Sequence, residues 1–131
     1  MFYQGQNKVF YMLTSEDIFK LIKKERNFLG NIDQYKIKIS NSDNFDRDNL
    51  IGVYKIRQYS ATRNGNDNLS QEIGNLILNL ENYSNSKLRF VSVLGKKYYG
   101  IFFLNENWNE IIGYLEREID ESEFTSMNSI D

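Results

Sequence analysis

The chain contains no histidine, no cysteine and no proline in 131 residues. Histidine is the usual general base near neutral pH and the commonest metal ligand, and cysteine supplies soft nucleophiles and zinc thiolates. Their absence excludes Ser-His and Cys-His catalysis, a disulfide framework and most transition-metal sites. The sequence also lacks a Gly-rich phosphate-binding motif. It therefore predicts a protein that is not an enzyme and that needs no cofactor or metal.

Aromatic residues are plentiful, with nine Phe, nine Tyr and one Trp. Apolar residues make up 40% of the chain, which is enough for a packed core. We expect one domain over residues 1–119, followed by an acidic polar tail over 120–131. No apolar run approaches the roughly 20 residues that span a bilayer, and the first residues lack the pattern of a signal peptide. These features predict a cytoplasmic protein that does not enter a membrane.

Several elements can be predicted from periodicity and capping residues. Thr14 and the acids that follow it mark a helix start. The apolar residues of 34–40 alternate with polar ones, as in a half-buried strand. Two later strands are apolar on both faces, which places them centrally in the sheet. The predicted elements are a strand at 8–13, a helix at 15–29, strands at 34–40 and 50–59, a helix at 70–83, and strands at 88–94 and 97–104. The pair Asn64-Gly65 predicts a tight turn before the second helix, whose buried stripe is predicted to comprise Ile73, Leu76, Ile77 and Leu80.

A last helix is predicted to begin at Asn105 or Asn107. Its apolar stripe comprises Trp108, Ile111, Ile112, Leu115 and Ile119. We expect Trp108 at its head to be substantially buried against the sheet. The predicted order is β-α-β-β-α-β-β-α. Short connections favour an α+β domain, an antiparallel sheet of about five strands with three helices packed on it.

Charge is distributed unevenly, although the net charge is only −2. Residues 1–65 carry eleven bases and seven acids, whereas residues 66–131 carry five bases and eleven acids. Acids close to the end of the last predicted helix would oppose its dipole, which suggests that they form a selected surface. Such a surface would steer a basic partner. The partner-binding candidates in this segment are Glu110, Tyr114, Glu116, Glu118, Asp120, Glu121, Glu123 and Phe124.

A second acidic group lies in the predicted polar loop 41–49. Asp43, Asp46 and Asp48 are further partner-binding candidates. Their carboxylates could also ligate Ca²⁺ or Mg²⁺, but the segment lacks the EF-hand order of ligands and contains Arg47. A solvated hairpin loop is the favoured interpretation.

Basic residues offer an alternative surface. If the strands at 34–40 and 50–59 pair, the side chains of Lys36, Lys38, Lys55 and Arg57 would align on one face. Tyr59 would lie at the end of that face, as in some single-stranded nucleic-acid sites. No aromatic RNA-binding signature is present, and the net charge disfavours strong phosphate binding.

Residues 34–119 contain a characteristic succession of predicted elements. They are the segment GVYKIRQYSA (residues 52–61), an amphipathic helix, the paired strands ending KKYYGIFFL and a Trp-bearing helix. This layout resembles the small immunity proteins of polymorphic toxin systems, including contact-dependent growth inhibition systems. The resemblance implies a non-catalytic inhibitor that binds and neutralises one cognate bacterial toxin. The basic active-site cleft of a nuclease is a target that an acidic surface could block.

Other binding functions fit the same composition. A secretion chaperone or adaptor, a phage counter-defence inhibitor and a nucleic-acid-binding module are the alternatives. The aromatic content is also compatible with a homodimer.

Overall fold

The structure, a computed structural model, describes residues 14–40 and 45–129. Within them the chain forms a five-stranded antiparallel sheet with helices, so the predicted α+β class is confirmed. The predicted strand at 8–13 lies outside the described residues. The elements in chain order are helix α1 (Ser15–Glu25), strands β1 (Lys36–Ile39) and β2 (Phe45–Asp46), helices α2 (Arg47–Arg63) and α3 (Asp67–Asn82), strands β3 (Lys87–Gly95), β4 (Tyr98–Leu104) and β5 (Ile111–Glu118), and helix α4 (Glu121–Asn128). The described part thus has four helices where three were predicted, and a different element order.

Helix α1 begins where the sequence predicts. The Thr14 hydroxyl accepts a hydrogen bond from the Asp17 N–H at 3.1 Å, and the Asp17 carboxylate accepts one from the Thr14 N–H at 3.2 Å. This reciprocal capping box satisfies two amides that would otherwise lack a partner. The buried residues of α1 are Ile18, Phe19 and Ile22. The helix ends at Glu25, earlier than the predicted residue 29.

The strand order is β1-β3-β4-β5, and every neighbouring pair is antiparallel. Strand β3 pairs with β1 through Ile39 opposite Val91, and with β2 through Phe45 opposite Leu88. The two short strands therefore share one edge of the sheet. Strands β3 and β4 are central, as their apolar faces predict. Within the described residues, β5 forms the other edge.

The predicted strand at 50–59 is wrong, because these residues belong to helix α2. Asp46 begins the helix, since its side chain accepts the Asn49 N–H at 3.1 Å. Tyr54 and Ala61 are buried, whereas Ile56 on the opposite side is 71% exposed. The predicted loop 41–49 is correspondingly shortened, because 45–46 form β2 and 47–49 open α2. Residues 41–44, including Asp43, lie outside the described residues.

Helix α3 corresponds to the predicted helix at 70–83, which begins three residues too late. The predicted turn before it is confirmed, with Gly65 at a φ of 77°, a left-handed conformation that glycine adopts without strain. The predicted buried stripe is also confirmed, and it comprises Ile73, Leu76, Ile77 and Leu80.

The predicted last helix is wrong. The Asn105 side-chain oxygen accepts the N–H groups of Asn109 and Glu110, at 2.9 and 3.1 Å, and closes a turn between β4 and β5. The residues that follow form strand β5 rather than a helical stripe. Trp108 lies in this turn, at a φ of 63°, and is only half-buried. The Arg89 guanidinium covers its ring at 5.3 Å, and the indole packs against the core on the α1 face of the sheet, so Trp108 is partly buried there but does not head a helix.

The segment predicted as a polar tail contains helix α4. The Asp120 side chain accepts the Glu123 N–H at 2.8 Å and caps the helix. Glu121 and Glu123 occupy the first turn, where the positive end of the helix dipole favours carboxylates. We predicted that these acids oppose a helix dipole, but Glu121 and Glu123 interact favourably with the dipole of α4. Their presence is explained by the stability of that helix.

Two apolar cores lie on opposite faces of the sheet. On one face, α1 packs on a group that includes Val91, Val93 and Phe102. On the other face, α2 and α3 pack on a group that includes Leu88 and Phe103. Because successive residues of a strand point to opposite faces, β3 and β4 contribute to both cores. Both faces of the sheet are thus covered, which leaves its edges as the accessible backbone.

Candidate protein-interaction groove

A groove of about 600 Å³ runs along the outer edge of β5. We call it the β5 groove. Its floor is the continuous segment 111–116 of that strand. The end of α1 forms one wall with Glu25 and Arg26, and α3 forms the other with Glu72, Asn75, Leu76, Leu78 and Asn79. The groove therefore exposes a strand edge between two helices that cover opposite faces of the sheet.

A polar cluster fixes the α1 wall. The Arg26 guanidinium contacts the Glu116 carboxylate through two nitrogens, at 2.8 and 3.0 Å, in a bidentate ion pair. Arg26 also donates to the Tyr114 hydroxyl at 3.0 Å, and the Tyr98 hydroxyl donates to Glu116 at 2.6 Å. The guanidinium lies 4.9 Å from the ring centroids of both Phe28 and Tyr114. These contacts hold the side chains of β5 and α1 in one arrangement.

The electrostatics of the cluster follow from partial burial. Burial raises the pKa of Tyr98 above its ordinary value, and the hydrogen bond to Glu116 and the charge of that carboxylate raise it further. Burial alone would lower the pKa of Arg26, but the hydrogen bond and charge of Glu116 outweigh it and leave that pKa raised. Tyr98 therefore stays neutral as a donor, and Arg26 stays charged.

The α3 wall approaches β5 closely at one position. A Cβ atom added to Gly113 would lie 2.5 Å from a methyl carbon of Leu76, which is itself buried. Leu78, two residues on, is 55% exposed and lies beside the groove. The α3 wall is thus apolar at its base and polar at its rim, where Asn75 and Asn79 lie.

The rim of the β5 groove carries excess negative charge. Arg26 neutralises Glu116, whereas Glu25 and Glu72 have no ion-pair partner among the described residues. Two further exposed acids, Glu110 and Glu118, lie at the two ends of β5. A cationic segment would therefore be favoured in the groove.

The structure brings two of the predicted partner-binding residues, Tyr114 and Glu116, into the β5 groove. Glu116 is not an open surface acid, because its side chain is only 15% exposed and pairs with Arg26. Phe124 is half-buried on α4, and Glu123 pairs with Arg117 at 2.7 Å.

The other predicted acids have local contacts at helix starts. Asp46 caps α2, and Asp48 pairs with Arg47 at 3.2 Å. Asp120 caps α4, and Glu121 lies in its first turn. The local stability of these helices is therefore sufficient to account for the four acids, and no binding partner is needed to explain them.

The predicted basic strand face does not form. Lys36 and Lys38 lie on β1, whereas Lys55 and Arg57 lie on helix α2. Lys55 pairs with Glu81 of α3 at 3.7 Å. The geometry on which the nucleic-acid interpretation depended is therefore wrong.

Sequence patterns alone did not identify most residues of the groove walls, among them Glu25, Arg26, Glu72 and Leu78. One signal was available. Leu78 lies outside the predicted apolar stripe of α3, so an exposed leucine could have been expected there. The pairing of Arg26 with Glu116 joins residues 90 positions apart and has no local signature.

Metal-binding clusters and membrane-spanning helices are both absent from the described residues. No group of three or more acidic side chains is placed to hold a metal ion. None of the helices in this part of the chain has the length and hydropathy to cross a bilayer.

No protein-family model, curated protein or solved structure matches the chain.

Proposed function

We propose that this protein is a non-catalytic inhibitor that binds and neutralises a cognate bacterial toxin in the cytoplasm, as the immunity proteins it resembles do. The observation that carries the proposal is the β5 groove, an acid-rimmed strand edge between two helices. Its partner is a basic, extended segment of the toxin.

Strand addition is the mode of binding that fits this geometry. Alternate N–H and C=O groups of an edge strand point away from its neighbour and are available to another chain. Each hydrogen bond formed in this way contributes about 0.5–1.5 kcal/mol net. The backbone would supply affinity, whereas Glu25 and Glu72 would select a basic segment.

Inhibition follows from the chemistry of the segment that is captured. A toxin that acts on nucleic acid needs cations to hold phosphates. A segment whose Lys and Arg side chains lie against the groove acids cannot hold a phosphate backbone at the same time. The inhibitor therefore needs no catalytic group of its own.

The same groove also favours one alternative. A secretion chaperone binds an extended segment of its effector, and an edge strand is equally suited to that task. The two functions differ in outcome, because an inhibitor abolishes the partner's activity whereas a chaperone preserves it for export.

Co-expression tests the proposal. The probe is the toxic domain encoded beside this gene, expressed in bacteria with and without this protein. Glu25→Gln/Glu72→Gln should slow association several-fold and flatten its salt dependence, because rim charges act mainly on the encounter rate. The matched control is Glu16→Gln/Glu121→Gln, which removes two exposed charges outside the groove.

Protection by the wild type, together with association that is slowed by the groove variant and not by the control, supports the proposal. A neighbouring domain that is neither bound nor neutralised contradicts it. Binding without neutralisation would assign the chaperone function instead.

A further inference from the structure

Helix α2 has a second apolar side that packs against no other element described here. Tyr54 and Ala61 face the sheet and are buried. Gly52, Ile56, Tyr59 and Arg63 are spaced four, three and four residues apart, which places them together on the opposite side of the helix. Ile56 is 71% exposed, Tyr59 is 64% exposed, and the adjacent Val53 is 45% exposed. We call this set of five residues the outer face of α2.

Gly52 is unexplained by contacts within the chain. A Cβ atom added there would have no neighbour within 4 Å, and the residue lies inside a 17-residue helix. Glycine within a helix is less favourable than alanine because it loses more backbone freedom. Neither a turn nor internal packing requires it, whereas a missing side chain allows another backbone to approach closely. Gly52 therefore provides a shallow gap beside Ile56.

The charge around this face is positive. Helix α2 carries Arg47, Lys55, Arg57 and Arg63, of which Arg47 pairs with Asp48 and Lys55 with Glu81 of α3. Arg63, on the outer face, lies over the Tyr59 ring at 5.8 Å, whereas Arg57 lies over the ring of the inward-facing Tyr54 at 5.2 Å. Neither arginine has a carboxylate partner among the described residues. A second copy of α2 would place cation against cation, whereas an acidic partner would neutralise them.

We infer that the outer face of α2 is a docking surface for an acidic amphipathic helix of another protein. Its apolar residues would pack on Val53, Ile56 and Tyr59 and approach most closely at Gly52, while its carboxylates would meet Arg63. This mode is helix-to-helix recognition through residues spaced by one turn. Three apolar side chains offer too little area for stable adsorption to a lipid surface, where affinity scales with the apolar area buried.

The surface is independent of the β5 groove, because no residue of α2 lines that groove. A protein with both sites could hold a toxin by one and a second component by the other. Failure of either proposal leaves the other standing.

Titration with two synthetic 18-residue helical peptides tests the inference. Both carry leucine at positions spaced by four and three residues, and they differ in having Glu or Lys at the remaining surface positions. Amide chemical shifts of labelled full-length protein report the site. We expect the Glu peptide to shift residues of α2, and the Lys peptide to leave them unchanged.

Variants distinguish specific binding at the outer face of α2 from non-specific binding of the peptide elsewhere. Ile56→Ser should weaken binding of the Glu peptide at least tenfold, and Arg63→Gln should weaken it several-fold. Gly52→Leu should do the same while the protein remains folded, because its side chain fills the gap and meets nothing else. Leu78→Ser, which removes an exposed leucine from the β5 groove, is the matched control and should bind normally.

Three results would overturn the inference. One is a Glu peptide that fails to shift α2 at millimolar concentration. Another is stronger binding of α2 to phosphatidylserine vesicles than to the peptide. The last is a concentration-dependent dimer, seen by sedimentation, that Ile56→Ser dissociates, which would make a second copy the occupant.

Discussion

At the scale of single residues, Arg26 and Glu116 organise the α1 wall of the groove. Their ion pair joins the end of a helix to an edge strand, and the Tyr114 and Tyr98 hydroxyls each add a hydrogen bond, to Arg26 and to Glu116 respectively. A half-buried pair of this kind contributes modestly to net stability, because desolvation offsets much of the attraction. Its main effect is geometric, since it holds the groove in a single shape before a partner arrives.

Tyr98 gives the cluster a dependence on alkaline pH. Its pKa is raised in the folded protein, so the unfolded chain releases that proton first as pH rises past the ordinary value of about 10. The stabilisation is complete below that pH and is lost above it. Tyr98→Phe should lower the free energy of unfolding by about 1–3 kcal/mol at neutral pH, because the donor to Glu116 disappears.

The same variant should lose less stability than the wild type between about pH 9 and about pH 11, since its phenol no longer titrates. Urea melts at a series of pH values measure both effects. Tyr59→Phe, which alters an exposed tyrosine on α2, is the control. An unchanged slope in Tyr98→Phe would show that this phenol is not the titrating group.

Gly113 is required by the close approach of Leu76. Gly113→Val should destabilise the protein by about 1–3 kcal/mol, because its side chain overpacks a filled core. Gly52→Val is the comparison, since that position has open space, although β-branching also lowers helix propensity. In the double variant Gly113→Val/Leu76→Ala, the loss of stability should be smaller than the sum of the losses in the two single variants. Thermal or urea unfolding measures it, and additive losses would refute the steric explanation.

At the scale of elements, two wrong assignments, α2 as a strand and β5 as a helix, share a cause. Helix α2 is apolar on two sides, with Tyr54 turned inward and Ile56 outward, so no helical stripe is visible. Strand β5 lies in a sheet covered on both faces, so Ile112 and Leu115 are apolar toward one core and Ile111 toward the other. Periodicity identifies an element only when one of its sides is polar.

Elements with a single buried side or a strong cap were predicted well. Thr14 and its capping box locate α1, and the stripe beginning at Ile73 locates α3. Strands β3 and β4 were found from their apolar composition and the tight turn between them. The groove itself could not be predicted, because it depends on which strand lies at the edge, and that is decided by pairing over long sequence separations.

Helix α4 offers a direct test of capping. Asp120→Ala should remove the cap and lower the stability of this helix by about 0.5–2 kcal/mol. Amide hydrogen exchange in residues 121–128 is the appropriate measurement, since a short helix without buried residues opens locally. Glu118→Gln, just before the cap, should leave exchange unchanged. Equal protection in Asp120→Ala would mean that tertiary contacts rather than the cap hold α4.

At the scale of the whole molecule, the composition and the fold both favour the binding function that we propose. The described surface has an acidic strand edge at β5 and a basic, apolar helix face at α2. The charge difference between the halves of the sequence thus has a spatial counterpart, although several of the predicted acids serve as helix caps. The resemblance to immunity proteins depends on the order of elements in the sequence. The β5 groove is a separate, structural argument for the proposed binding function.

The isolated protein should contain no stoichiometric transition metal and show no turnover, because it lacks the side chains that hold and use one. Elemental analysis of protein purified without chelators is the measurement. A zinc-binding control protein prepared in parallel verifies recovery. One equivalent of zinc, copper or iron would contradict this prediction.

The position of β3 between β1 and β4 has a consequence for the speed of folding. Ile39 and Val91 meet only after about 50 intervening residues have been brought into a closed loop, whose entropy grows with the logarithm of its length. Helices α2 and α3 lie inside that loop and pack on each other through local contacts. Once formed, this helical hairpin shortens the flexible chain that must close. Folding should therefore proceed from the hairpin and the β3–β4–β5 meander toward β1, and mutations in β1 should accelerate unfolding more than they slow folding.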